Sequence, residues 1–188
     1  MSEGLGWCIW ITGLPGSGKS TIARALNKKL LEKGVRAQIL STDSLREVIT
    51  PAPKYTEEER DVVYGAIVYV AKLLTQNGVN VIIDATANRR RYRDRARAVL
   101  GRYAEVYLSC PLEICMEREG GRIDTLKAPR NIYEKAFRGE SQTVPGIGVP
   151  YEEPINPELV VVTDRLKPDE CVDEILTMII GRFEAQAC

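Results

Sequence analysis

Apolar and polar positions along the chain follow two periods in turn, one typical of strands and one typical of helices. Short apolar runs of strand length occur at 7–12, 35–41, 79–84, 103–109 and 158–163. Apolar residues at every third or fourth position predict long helices over 21–33, 56–78, 89–101 and 168–185. Shorter helices are predicted around 45–49, from 111 onward and over 133–138. This alternation predicts right-handed crossovers and an α/β fold with helices on both faces of a parallel sheet.

The first predicted strand leads into the stretch GLPGSGKST, which is followed by the first predicted helix. Gly13, Gly18, Lys19 and Ser20 fill the fixed positions of the phosphate-binding pattern G-x-x-x-x-G-K-[ST]. Glycines let backbone N–H groups approach a polyphosphate, and the helix start adds its positive dipole end. Lys19 would reach the β- and γ-phosphates, and the Ser20 hydroxyl would ligate magnesium. A glycine turn without a ligand is the alternative, but the flanking strand and helix favour a bound nucleoside triphosphate.

Carboxylates follow the second and third predicted strands. Ligands of open α/β sheets bind beyond the carboxyl ends of the strands, so Asp43 and the stretch 84–88 should converge with the phosphate loop. Asp43 could orient or deprotonate an acceptor hydroxyl, or it could cap the helix that follows it. Asp84 could hold a magnesium-bound water, or it could cap the next turn. The sequence leaves both pairs of alternatives open.

Arginines are candidates for binding an anionic acceptor. A guanidinium can hold a phosphate or sulfate bidentately, which makes Arg46 and Arg60 candidates, although solvated helix faces carry arginines too. Seven arginines between Arg89 and Arg102 are spread over more than one face of a predicted helix. We interpret this tract as a charged outer face or a subunit contact rather than a nucleic-acid patch.

The stretch 119–130 is glycine-rich and basic and has no period. Arg118, Arg122, Lys127 and Arg130 lie in it or beside it. A basic segment after the fourth strand is suited to a lid that closes over the phosphates, excludes water and adds positive charge. A surface loop without such a role is the alternative, and we favour the lid.

Composition narrows the class of protein further. The 188 residues suffice for one well-packed domain, so a single domain over 1–188 is expected. The 26 basic and 26 acidic residues give no global attraction to nucleic acid or membrane. Neither a signal segment nor a bilayer-length apolar run is present, which predicts a cytosolic protein. Scattered cysteines indicate thiols rather than a disulfide framework. Because the sequence has no histidine, acid–base chemistry is left to carboxylates, lysine or tyrosine.

Three segments of the C-terminal half resemble a known family, the adenylylsulfate kinases. PLEICMER resembles the family's P-L-E-V-C-E-x-R, PRNIYEKAFRGE resembles P-K-G-L-Y-x-K-A-R-x-G-E, and PGIGVPYEEPINPELVV resembles T-G-I-D-x-P-Y-E-x-P-x-x-P-E-L. The resemblance covers nearly the whole chain. It implies a three-layer P-loop kinase fold of strand order 2-3-1-4-5, commonly homodimeric. The implied reaction moves the γ-phosphoryl of ATP to the 3′-hydroxyl of adenylylsulfate, giving 3′-phosphoadenylylsulfate and ADP in sulfate assimilation.

The resemblance also implies site residues. The implied ATP-binding residues belong to the phosphate loop, with one later arginine. They are Gly13, Pro15, Gly16, Ser17, Gly18, Lys19, Ser20, Thr21 and Arg118. Asp43 matches the second aspartate of D-G-D-N, the proposed base, and Arg46 matches the arginine just after it. Arg60 matches the arginine of F-S-x-x-D-R, an adenylylsulfate contact, and Thr86 stands at the serine of F-I-S-P.

Departures from the family pattern lie mainly on the acceptor side. Ser41 replaces the first aspartate of D-G-D-N, Val63 the asparagine of E-N-I-R-R, and Val144 the aromatic residue of F-T-G-I-D. An insertion at about 120–128 lengthens the lid. STDSLRE followed by VIIDATANRRRYRDR resembles instead polynucleotide and seryl-tRNA kinases. The alternative is therefore a P-loop kinase acting on RNA, polynucleotide ends or another small hydroxyl compound.

One hypothesis reconciles the two resemblances. The second and third strands end at the same sheet edge, so Asp84 would restore the carboxylate that is missing at Ser41. Lys19 and Asp43 are then the expected catalytic residues, and Ser20 and Asp84 are the expected magnesium ligands. A nucleotide switch without an acceptor is disfavoured, because the sequence has neither an N-K-x-D guanine motif nor a D-x-x-G switch glycine.

Overall fold

The computed structural model describes residues 5–122 and 129–184, which form a five-stranded parallel sheet with helices on both faces. The strands are β1 Cys8–Thr12, β2 Ala37–Ser41, β3 Asn80–Asp84, β4 Tyr103–Ser109 and β5 Leu159–Val162. Their order across the sheet is β2-β3-β1-β4-β5, and each neighbouring pair is parallel. The predicted fold class and the strand order 2-3-1-4-5 are confirmed.

The helices fall where the apolar period of the sequence predicts them. They are α1 Lys19–Glu32, α2 Thr42–Ile49, α3 Glu57–Gln76, α4 Arg90–Val99, α5 Leu112–Gly120, α6 Ile132–Phe137 and α7 Pro168–Ile179. A π-helical turn over Ile180–Glu184 follows α7, and Ala185, the predicted end of the last helix, lies outside the described residues. Pro111 is the N-cap of α5 rather than a residue of its first turn. Because α5 extends through Gly120, the first two residues of the predicted lid are helical.

The two faces of the sheet bury separate cores, and β1 contributes to both. Ile9 and Ile11 pack with apolar side chains of α1 and α7, whereas Cys8 and Trp10 pack with those of α3 and α4. All five residues of β1 are buried. A central strand of a parallel sheet therefore appears in the sequence as a continuous apolar run, since neither face meets solvent.

Thr56 and Glu59 at the start of α3 have the spacing of a capping box, in which each side chain would bond to the backbone N–H of the other residue. Thr56 does cap the helix, and its hydroxyl accepts a hydrogen bond from the Glu59 N–H at 3.2 Å. The Glu59 carboxylate completes no capping box, because it pairs with Arg46 and accepts from the Lys54 N–H at 2.6 Å. The pairing supplies a counter-charge to the buried Arg46 guanidinium. Across the described parts of the chain, every helix is too short or too polar to cross a bilayer.

Candidate active site

The chain between β1 and α1 forms a glycine-lined cradle. Gly16 has φ 84° and Gly18, the N-cap of α1, has φ 98°, backbone conformations that favour glycine. A Cβ atom on Gly16 would lie 2.1 Å from the Cys115 carbonyl oxygen, so a side chain cannot be accommodated there. Helix α1 begins at Lys19 with its unpaired N–H groups facing the loop, which is an arrangement suited to binding phosphate.

The Lys19 ammonium folds back over this loop. Its Nζ donates to the carbonyl oxygens of Gly13 at 3.0 Å and Leu14 at 2.9 Å. The side chain is buried, and burial lowers the pKa of the ammonium, while the carboxylates of Asp84 and Asp43 act in the opposite direction. Two of its three N–H donors are thus occupied by described residues, and one is left for an anionic ligand.

Asp84 ends β3 beside the phosphate loop. Its carboxylate lies near the Ser20 hydroxyl and the Lys19 ammonium. Burial raises the pKa of Asp84, and these two neighbours lower it, with burial the larger effect. A hydroxyl beside a carboxylate offers the hard oxygen ligands that Mg²⁺ prefers. No cluster of three or more metal-binding side chains occurs among the described residues, but Mg²⁺ on a nucleotide commonly uses only one or two protein ligands. The residues present therefore fit the ion.

Asp43 lies in the first turn of α2 and lines the same cleft. Ser41 is the N-cap of this helix, and its hydroxyl accepts from the Asp43 N–H at 3.2 Å, so the alternative in which Asp43 is the cap is wrong. Burial and the nearby Asp84 charge raise the pKa of Asp43, and Lys19 and Arg46 lower it. The carboxylate is thus left available to the cleft.

A cleft of about 540 Å³ opens at the carboxyl edge of the sheet. The predicted site residues that line it are Pro15, Gly16, Gly18, Lys19, Ser20, Thr21, Asp43, Arg46, Arg60, Asp84, Thr86 and Arg118. Gly13 and Ser17 do not line it. Ser17 is buried beneath the loop, and its hydroxyl has no hydrogen-bond partner among the described residues.

Tyr55 lines the cleft beside two of the predicted arginines. Its ring centroid is 4.6 Å from the guanidinium carbon of Arg46 and 5.9 Å from that of Arg60. Tyr55 has φ 57°, which is uncommon for a residue other than glycine. Sequence reasoning missed this side chain, and the available signal was an aromatic residue directly before the Thr56 cap.

Arg118 of α5 also lines the cleft and bonds to Thr163, the residue after β5. Its Nη2 donates to the Thr163 carbonyl at 2.9 Å, and the Thr163 hydroxyl donates to the Ser17 carbonyl at 3.1 Å. The arginine is thereby tied to the phosphate loop. Arg122 of the predicted lid also lines the cleft, whereas Lys127 lies outside the described residues.

None of the seven arginines between Arg89 and Arg102 lines the cleft. Arg89 and Arg91 pair with Glu57 at 3.1 and 2.9 Å, and these side chains do form part of an outer face. Arg93 is buried and pairs with Glu105 at 2.5 Å, so the prediction of a charged outer face is wrong for this residue. These ion pairs connect α4 and its N-cap residue to α3 and β4.

A phosphate loop after the first strand of a 2-3-1-4-5 sheet, facing carboxylates and arginines across one cleft, defines a P-loop kinase. A sequence model of the adenylylsulphate kinase family matches residues 5–162. The chain belongs to the adenylylsulfate kinase family.

Individual relatives can be aligned with this chain over most of its length. A probable adenylyl-sulfate kinase of Pyrococcus abyssi is 40% identical over 165 residues, which cover 88% of this chain and 90% of that protein. An adenylyl-sulfate kinase of Rippkaea orientalis is 39% identical over 179 residues, 95% of this chain and 92% of that one. The APS kinase CysC of Mycobacterium tuberculosis, solved in complex with AMPPNP and APS, superposes with a TM-score of 0.83 at 33% identity, covering 93% and 98%. The resemblance carried by the C-terminal motifs is confirmed.

Proposed function

We infer that the chain is an adenylylsulfate kinase, which transfers the γ-phosphoryl of ATP to the 3′-hydroxyl of adenylylsulfate. The products are 3′-phosphoadenylylsulfate and ADP, and the reaction belongs to sulfate assimilation. One observation carries this inference: a single cleft joins the phosphate loop and Asp43 to the buried arginines Arg46 and Arg60. The cleft thus has one end suited to a nucleotide donor and another suited to an anionic acceptor.

ATP is the donor, held by backbone N–H groups of the loop from Gly13 to Thr21. Lys19 contacts the phosphates through its remaining N–H, and Arg118 lies beside the adenine. The backbone contact at Gly16 and the start of α1 at Lys19 support this placement. Ser20 and Asp84 would hold Mg²⁺, which neutralises charge on the transferring phosphoryl group.

Asp43 acts on the acceptor. Its carboxylate takes the proton of the 3′-hydroxyl as the hydroxyl oxygen attacks the γ-phosphorus, and ADP leaves. Phosphoryl transfer needs mainly positioning and charge neutralisation, which is what the buried Lys19 and a carboxylate at the cleft wall provide. Burial raises the pKa of Asp43, which makes the carboxylate a stronger base than an exposed one.

The acceptor binds at the arginine end. Arg46 and Arg60 hold its anionic groups, Thr86 lines the adjoining wall, and the ring of Tyr55 offers a flat surface for the purine base. Nucleic acid is not an expected partner, because the arginine tract of α4 is engaged with carboxylates.

The whole chain is proposed to be one kinase domain with a lid at about 119–130, located in the cytoplasm. A homodimer is expected as well. Exposed apolar side chains on one face of α3 support self-association, and they are Val62, Tyr69 and Leu73. Light scattering coupled to gel filtration would test the dimer.

The direct test of function measures ADP release from Mg-ATP with four acceptors: adenylylsulfate, AMP, a 5′-hydroxyl oligonucleotide and seryl-tRNA. Adenylylsulfate should raise the rate far above the acceptor-free rate. If it does not raise the rate, the assignment is wrong, and the acceptor that does raise it identifies the substrate class.

A further inference from the structure

The loop after β3, residues 85–88, is fixed by hydrogen bonds from several directions. The Thr86 carbonyl accepts from the Thr12 hydroxyl at 2.7 Å, and the Ala87 N–H donates to the Tyr64 hydroxyl at 2.9 Å. Ala87 has φ 43°, a conformation that costs energy for a residue with a side chain. Such a conformation persists only where its surroundings hold it, so this loop is part of a rigid wall of the cleft.

Asn88 is the most connected residue of this loop, and its side chain is completely buried. Its Oδ1 accepts from Nη1 of Arg60 at 3.0 Å, and its Nδ2 donates to the Pro150 carbonyl at 3.2 Å. Its own carbonyl accepts from the Glu152 N–H at 2.7 Å. One side chain therefore connects α3 to the segment that follows residue 140.

The hydrogen bonds of Arg60 show what this connection achieves. Its Nε donates to the Tyr55 carbonyl at 3.0 Å, and its Nη2 donates to the Thr143 carbonyl at 2.7 Å. With the bond to Asn88, three of the five N–H groups of the guanidinium have protein acceptors in the described part of the chain. One N–H on each terminal nitrogen is left, and the side chain lines the cleft.

We propose that Asn88 is a positioning residue for acceptor binding. It fixes the rotation of the Arg60 guanidinium, so that the two remaining N–H groups face the cleft as a bidentate donor for an anionic group. The proposal rests on the proposed function in that Arg60 contacts the acceptor. It extends that function to a residue that does not itself line the cleft.

The chemistry explains why an amide is needed at this position. The carboxamide accepts from the buried Arg60 and donates to the Pro150 carbonyl at the same time, and the Asn88 side chain is itself buried. Aspartate would keep the acceptor but would set a carboxylate oxygen against the Pro150 carbonyl. Alanine would remove both bonds and leave an N–H of Arg60 without its partner.

Steady-state kinetics with both substrates test the proposal. Asn88→Ala should raise KM for adenylylsulfate by about tenfold or more, while KM for ATP changes by less than about twofold. Asn88→Asp keeps the bond to Arg60 and should give a smaller rise. Asn77→Ala is the matched control, because Asn77 is an exposed asparagine at the C-terminal end of α3 whose side chain donates to the Leu73 carbonyl, far from Arg60 in the chain. Equal changes in the two KM values, or an unchanged KM for adenylylsulfate, would overturn the proposal.

A second measurement does not depend on the acceptor. In ¹⁵N-arginine spectra of the ligand-free protein, a guanidinium with three fixed bonds should give a slowly exchanging Arg60 signal, assigned from Arg60→Lys. The signal should broaden or disappear in Asn88→Ala and persist in Asn88→Asp. If Asn88→Ala does not fold, the Asn88→Asp variant decides. A rise in its KM for adenylylsulfate without an equal rise in its KM for ATP supports the proposal, and equal or absent changes overturn it. If adenylylsulfate does not stimulate ADP release by the wild-type protein, the proposed function is wrong. If the Arg60 signal is unchanged in a folded Asn88→Ala variant, the proposed role of Asn88 is wrong.

Discussion

Ser41 and Asp84 are register partners at the ends of β2 and β3. Ser41 uses its hydroxyl to cap α2, and Asp84 places a carboxylate beside Ser20 and Lys19. The two strand ends adjoin, so side chains at these two positions lie on the same side of the sheet. This relationship supports the hypothesis that Asp84 replaces a carboxylate that family members carry on the neighbouring strand.

Asp84→Asn should therefore lower kcat severely, by roughly a hundredfold, since the Ser20–Asp84 pair loses the charge that would hold Mg²⁺. Initial rates of ADP formation at saturating substrates measure the effect. Asp94→Asn on the exposed face of α4 is the control and should leave the rate unchanged. Adding Ser41→Asp to the Asp84→Asn variant should restore part of the activity, because it returns a carboxylate to the neighbouring strand end. Aspartate can also cap α2 in place of the serine. Full activity of Asp84→Asn alone would refute the hypothesis.

The same substitution should stabilise the protein when ligand and metal are absent. Burial raises the pKa of Asp84 above the ordinary 3.8, so the folded state binds its proton more tightly than the unfolded state does. The ionised carboxylate consequently costs stability above this raised pKa, and the stability that Asp84 contributes falls as pH rises through it. Thermal unfolding in EDTA from about pH 4 to about pH 8 should show a higher Tm for Asp84→Asn at neutral pH, by roughly 2–4 °C for each kcal/mol gained. The difference should disappear in acid. A lower Tm for the variant at neutral pH would contradict the expected sign.

Tyr55 should contribute through its ring rather than its hydroxyl. Tyr55→Ala should raise KM for adenylylsulfate by about tenfold, because stacking of a base on an aromatic ring is worth about 1–3 kcal/mol. Tyr55→Phe keeps the ring beside Arg46 and Arg60 and should bind nearly as well as the wild type. Isothermal titration calorimetry with adenylylsulfate and ADP compares the variants directly. If Tyr55→Phe is as weak as Tyr55→Ala, the hydroxyl and not the ring is responsible.

The buried pair of Arg93 and Glu105 should matter for stability and not for catalysis. Glu105→Gln leaves a buried guanidinium without its counter-charge and should lower the free energy of unfolding by about 3 kcal/mol. Glu134→Gln breaks the exposed pair with Arg138 on α6 and should cost less than about 0.5 kcal/mol. Urea unfolding at neutral pH distinguishes the two. Similar urea midpoints for both variants would show that burial does not increase the contribution of the Arg93–Glu105 pair to stability.

Sequence alone determined the features that depend on neighbouring residues. The phosphate loop is local, because Gly16, Gly18 and Lys19 act through backbone conformation and the start of the helix that follows them. The spacing of apolar residues was sufficient to predict the fold class. A strand buried on both faces has a continuous apolar run, whereas a helix buried on one face has apolar residues at every third or fourth position. The C-terminal motifs were sufficient for the family.

Tertiary structure decided the contacts between residues far apart in the chain. Asn88 meets Arg60 and Pro150, Arg93 meets Glu105, and Tyr55 stands beside two arginines of different helices. In the sequence these residues look like an ordinary asparagine, a surface arginine and a loop tyrosine. Their roles arise from burial, because a buried polar group must find its partner wherever the fold places one, and no periodic pattern records which partner that is.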